Sequence, residues 1–109
     1  MNKLVRGVFL DRDGVIFHND RSLEGGHFYI TSYHQTIFIK GALEAIKMLY
    51  EAGYKIYVVS MQNSIVAGIV SAEVVDNIFK RMAKDIMRIV QVPVKYKVCT
   101  TPIEDEILK

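Results

Sequence analysis

Residues 11 and 13 are both aspartate, separated by Arg12 and followed at once by Gly14. Carboxylates two apart on an extended backbone project to one side. Gly14 then lets the chain turn sharply. One carboxylate of such a pair can attack phosphorus and form an acyl phosphate. The other can protonate the leaving oxygen and later deprotonate the attacking water. A carboxylate and a phosphate repel, by about 4 kcal/mol at ~4 Å and an effective dielectric of 20. A divalent cation cancels that repulsion, and Mg²⁺ suits a shell of carboxylate, backbone carbonyl and water. Ser60 is a further candidate, since its hydroxyl can donate to a phosphate oxygen, with the backbone amides of Met61 and Gln62 beside it. Alone, Asp-x-Asp-Gly reads as a turn and Ser60 as a strand-end hydroxyl. The combination, each at the end of an apolar strand, points to chemistry.

These residues need a scaffold that brings two strand ends to one edge. Val5 to Leu10 is an apolar run that stops abruptly at Asp11, which predicts a fully buried parallel strand. Phe17 to Lys40 is mixed, with turn signals at Asn19-Asp20 and Gly25-Gly26, and reads as a long loop with a small flap. Gly41 to Ala52 reads as a helix with Leu43, Ile46, Leu49 and Tyr50 on one face and Gly53 as its stop. Lys55 to Ser60 is the second strand. Ser71 can cap a long second helix, with Glu73 in its favourable first turn. On it Val74, Ile78, Met82 and Ile86 form a stripe, with Val75, Phe79, Ala83 and Met87 alongside. Val92-Pro93 ends this helix, and Val94 to Cys99 alternates as a half-exposed edge strand does. Strand, helix, strand, helix, strand implies right-handed crossovers and an α/β parallel sheet. Ligands of such sheets bind beyond the carboxyl ends of the strands. Thr101-Pro102-Ile103-Glu104 then announces another helix.

Composition sets the bounds. A chain of 109 residues fits one domain, 1–109, with a thin core. The formal net charge of +2, with scattered basic residues, does not predict nucleic-acid binding. The apolar runs are too short to span a bilayer, and the N-terminus lacks the pattern of a signal peptide. The single cysteine, Cys99, allows neither an internal disulfide nor a cysteine-based zinc site, and a reduced, cytoplasmic setting is expected. His18, His27 and His34 fall at irregular spacing and read as loop or packing residues, with His18 near enough to Asp13 to face a substrate.

Phe9-Leu10-Asp11-Arg12-Asp13-Gly14-Val15-Ile16 resembles the first motif of the haloacid dehalogenase-like (HAD) superfamily, in the form of its histidinol-phosphatase and heptose-bisphosphate-phosphatase branch. The resemblance continues through Phe38 to Ile46, Ala52-Gly53-Tyr54-Lys55 and Val58-Val59-Ser60-Met61-Gln62. It implies a Rossmann-like parallel sheet with little or no cap, Mg²⁺, and an aspartyl-phosphate intermediate. Asp11 matches the nucleophile and Asp13 the acid/base, both also metal ligands through the Asp11 carboxylate and the Asp13 carbonyl. Ser60 matches the phosphate-binding hydroxyl of the second motif, and the third-motif lysine falls at or just beyond Lys109. Four departures stand out. Met61 replaces the branch's usual asparagine, and Ala67 an arginine. Thr100 and Thr101 stand where many relatives have zinc-binding histidines, so no zinc is expected. The acidic residues of the fourth motif have no counterpart after the third strand, so the sheet reads as truncated there. Glu104, Asp105 and Glu106 read as a helix's first turn, not as substitutes.

The leading expectation is a Mg²⁺-dependent phosphatase of a small phosphorylated metabolite. The alternative is a catalytically inactive binding or assembly module that keeps the motif. A response-regulator receiver ranks low, since receivers pair consecutive acids after their first strand. The first strand should present an unpaired apolar edge, which predicts a homodimer or a complementing polypeptide.

Overall fold

The computed structural model describes residues 6–18, 30, 32–62, 65 and 68–99. Within them the chain forms β1 (Arg6–Leu10), a 3-10 turn (Tyr33–Gln35), α1 (Ala42–Glu51), β2 (Tyr54–Met61), α2 (Ala72–Val90) and β3 (Val94–Cys99). The strands make one parallel sheet in the order β1-β2-β3, so each strand pairs with the next in the chain. This is the expected α/β parallel architecture.

Local signals account for the elements. At α2 the Ser71 hydroxyl accepts from the Val74 amide at 3.2 Å, satisfying one orphan donor of the first turn. Gln91 closes the helix in the left-handed conformation, its amide donating to the Met87 carbonyl. The buried stripe of α2 is Val75, Ile78, Phe79, Met82 and Ile86. Val74 and Met87, expected along that stripe, lie at its margins and are exposed. Helix α1 buries Ile46 fully, and Leu43 and Leu49 pack against the core in part. Gly53 follows at φ 99°, which lets the chain reverse into β2.

Strand β2 alternates strictly: Ile56, Val58 and Ser60 are buried, and the residues between are less so. Ile56 and Val58 share one cluster with Ile46 of α1 and the buried stripe of α2. Both helices therefore cover the same face of the sheet. On the other face Phe9 is 71% exposed and stacks on Tyr57, ring centroids 5.2 Å apart, and among the described residues no helix covers it. Strand β1 is consequently not the fully buried strand its apolar run suggests. Its residues are exposed or half-buried, because one face is open and its outer edge has no described partner. Val5, the first residue of that expected strand, lies outside the described residues.

The loop before α1 is partly a core element. Phe17 and Ile30 are buried, and Phe17 packs against Phe38 and Tyr33. Tyr33 Oη donates to Asp85 of α2 at 2.5 Å. Burial and that bond push the Tyr33 phenol well above its ordinary value. A second tie runs from Tyr96 Oη of β3 to Asp76 of α2 at 3.0 Å. Hydrogen bonds from Tyr96 and Lys80 hold the Asp76 carboxyl below its usual range. The turn signals at 19–20 and 25–26 and the helix expected from Thr101 lie outside the described residues.

Candidate active site

The site sits where β1 and β2 end. Leu10 pairs with Val58, so Asp11 leaves the sheet beside the last turnward residues of β2. The chain then folds into a tight loop. Gly14 sits at φ 83°, its amide donates to the Phe17 carbonyl at 2.8 Å, and the Arg12 carbonyl accepts from Ile16 and Phe17 at 2.9 Å each. Phe17, fully buried, anchors the far end of this loop.

Inside that loop the two aspartates are in different surroundings. Asp11 is exposed and has no hydrogen bond or ion pair among the described residues. Asp13 keeps 28% of its side chain exposed and is gripped from two sides. Arg12 donates from Nε to Oδ1 at 2.8 Å and from Nη2 to Oδ2 at 3.1 Å. Gln62 donates from Nε2 to Oδ2 at 3.2 Å. The same Nε2 donates to Ser60 Oγ at 2.7 Å. One carboxamide thus ties Asp13 of the first strand's loop to Ser60 of the second strand. Ser60 is 3% exposed. With its oxygen accepting from Gln62, its proton remains for another acceptor.

Arg12 is buried to 1% exposure. Its guanidinium lies 4.5 Å from the Phe79 ring centroid and 5.8 Å from that of Phe17. Its Nη1 is buried without a hydrogen-bond partner among the described residues.

The backbone amides after Ser60 divide. Gln62 N–H donates to the Cys99 carbonyl of β3 at 2.7 Å. It belongs to the sheet ladder and is not free for a phosphate, contrary to expectation. Successive strand residues direct their backbone groups to opposite neighbours, so the Met61 amide faces the side of β1. His18 is exposed, and its amide donates to the Ile37 carbonyl. His34 pairs with Ser32 across the 3-10 turn. His27, Ala67, Thr100, Thr101, Glu104, Asp105, Glu106 and Lys109 lie outside the described residues. Among the described residues no three His, Cys, Asp or Glu side chains gather as a metal site would need.

Sequence reasoning missed the side chains of Arg12 and Gln62. The signal was available in strand alternation. Val8, Leu10 and Arg12 form one alternating series and Ile56, Val58, Ser60 and Gln62 a second, so both polar residues continue a core-facing series past the strand ends.

No family model matches the chain. Over 66 residues it is 32% identical to the D-glycero-beta-D-manno-heptose-1,7-bisphosphate 7-phosphatase of Rhodopseudomonas palustris, a stretch covering 61% of this chain and 33% of that protein. Its fold matches that of the D,D-heptose 1,7-bisphosphate phosphatase from B. bronchiseptica, solved with magnesium and phosphate. There the TM-score is 0.75 at 21% identity, over 93% of this chain and 53% of the other. A protein from Mesorhizobium loti described as a HAD-like phosphatase gives a TM-score of 0.74 at 23% identity, over 90% of this chain and 44% of the other. The chain thus spans a third of the curated relative and about half of each solved structure. The resemblance to the N-terminal portion of the HAD-like fold is borne out: the parallel core has that architecture.

Proposed function

We propose that this chain, with its HAD-like N-terminal core, serves a phosphatase acting on a small sugar or alcohol phosphate through an aspartyl-phosphate intermediate. The observation that carries the reading is the link from Asp13 through Gln62 to Ser60, beside an exposed Asp11 that has no partner among the described residues. The heptose-bisphosphate phosphatases among its relatives support the substrate class.

In this reading Asp11 attacks phosphorus and forms an acyl phosphate, while the ester oxygen leaves with a proton from Asp13. Asp13 then takes a proton from water, whose oxygen attacks phosphorus. Phosphate departs and the Asp11 carboxylate returns. Ser60 and the Met61 amide bind phosphate oxygens, as Lys109 does at the third-motif position. Asp11 fits Mg²⁺ in kind, being a hard oxygen ligand with no competing partner among the described residues, and the Asp13 carbonyl would be the second protein ligand. When bound, the cation supplies neutralising charge between carboxylate and phosphate. The single free thiol, Cys99, supports a reduced cytoplasmic setting. No described helix is long and apolar enough to cross a membrane.

The second reading is a binding or assembly module that keeps the loop without turnover, in which the Asp13–Gln62–Ser60 link serves only to tie the two strand ends together. Hydrolysis of aryl and sugar phosphates by the purified chain with Mg²⁺ decides between them. Turnover abolished by Asp11→Asn is expected for the phosphatase. Equal rates for the parent and Asp11→Asn would assign any activity to other chemistry and leave the module reading.

A further inference from the structure

We propose that Arg12 is a positioning residue for Asp13, holding the acid/base carboxylate from inside the core. The inference rests on the phosphatase reading for its kinetic consequence and on geometry for the clamp itself. Nothing about an Asp-x-Asp-Gly turn demands an arginine at its middle position, and this one is 1% exposed. Its fork engages both oxygens of Asp13, at 2.8 and 3.1 Å. A fork of this kind fixes the plane of a carboxylate as well as its place. Phe79 and Phe17 hold the guanidinium in turn, so the clamp is rooted in α2 and in the loop's buried anchor.

Simple packing explains Arg12 poorly. An apolar side chain of similar length would fill the same space without desolvating a charge. Arg12 also leaves Nη1 buried and unpartnered among the described residues, which is unfavourable. What the arginine supplies, and an apolar residue does not, is a fixed carboxylate. A carboxylate offers about four acceptor positions. Arg12 takes one on each oxygen and Gln62 takes another on Oδ2. The position left over lies on Oδ1 of a side chain that is 28% exposed. That is where the proton exchanged with the leaving group or with water would sit. Arg12 therefore selects which oxygen, and which direction, performs the proton transfer.

The test uses Arg12→Met, which keeps volume without charge, and Arg12→Lys, which keeps charge without the fork. Substrates are p-nitrophenyl phosphate, whose leaving group needs little protonation, and a simple alkyl phosphate, whose leaving group needs it. Arg12→Met should lower kcat on the alkyl ester at least tenfold, with KM nearly unchanged and a much smaller loss on the aryl ester. Arg12→Lys should show the same pattern less strongly. Equal losses on both esters in a folded variant, or none on the alkyl ester, would overturn the proposal. If the parent hydrolyses neither ester, the phosphatase reading falls and the clamp stands or falls on NMR. The Arg12 Nε–H resonance should be protected from solvent exchange in the parent and in Asp11→Asn, and unprotected in Asp13→Ala. Protection that survives in Asp13→Ala would show that Asp13 is not what holds the guanidinium.

Discussion

At the scale of single residues, the two aspartates should separate in a stability measurement that involves no substrate. Asp11 is exposed and unpartnered among the described residues, so Asp11→Asn should shift unfolding free energy by no more than about 0.5 kcal/mol. Asp13→Ala strands a buried guanidinium that already has one donor unpaired among the described residues. Breaking a fully buried pair costs about 3–5 kcal/mol. With Asp13 part-exposed, a loss on the order of 2 kcal/mol in denaturant unfolding is expected, and matching values for the two variants would contradict the clamp. The metal site is also testable at this scale. One carboxylate and one carbonyl make a sparse shell, so calorimetric titration should give weak Mg²⁺ binding, no tighter than about millimolar for a site this poor in charge. The positions of Asp11, Asp13 and Ser60 at strand ends were legible because aspartates and a serine after apolar runs stand out. Arg12 and Gln62 were not, since an arginine between two acids reads as solvated charge until Phe17 and Phe79 are seen to enclose it.

At the scale of elements, local chemistry carried far. Ser71 caps α2, Gly53 turns the chain into β2, and β3 runs from Val94 to Cys99 as the alternation of VKYKVC implies. Burial of β1 was misread, because an apolar run records how apolar a strand is and not how many neighbours cover it. The tie from Tyr33 to Asp85 was invisible in the sequence, its partners being 52 residues apart. It makes a pH-dependent prediction. Burial, then the bond to Asp85, raise the phenol's pKa on folding, so folding favours the protonated form. Its contribution is whole below the unfolded phenol value of about 10 and is lost as pH rises beyond it. Tyr33→Phe should therefore cost about 1 kcal/mol near neutrality. The gap to the parent should close as thermal unfolding is followed above about pH 10. A gap that stays constant would mean the bond does not contribute.

At the scale of the molecule, the sheet has one covered face and, along β1, an edge with no described partner. Unprotected edges of apolar strands invite pairing. Phe9 adds a large exposed ring next to that edge. We expect the chain to associate, either with a second copy through β1 or with a polypeptide that covers the open face. Sedimentation at micromolar concentration checks this. A stable monomer of 12.4 kDa would show that the open face and edge are satisfied within the chain. The parallel order of the sheet was legible from the alternation of strands and helices, whereas the bare face was not, since right-handed crossovers alone do not say what lies opposite the helices.

The order β1-β2-β3 also bears on how the protein comes into being. Among the described strands each pairs with its neighbour in sequence, so these pairings do not wait on a distant segment and this part of the sheet can grow in the direction of synthesis. β1 must wait for β2 until the hydrophobic stretch of α1 and then β2 emerge, and among the described strands only β2 gains neighbours on both sides. Protection from hydrogen exchange should follow that history, deepest in β2 and shallowest along β1. The loop bearing Asp11 and Asp13 would then take its final shape when α2 arrives to close Phe79 over Arg12, so the site is completed by a helix made well after its aspartates.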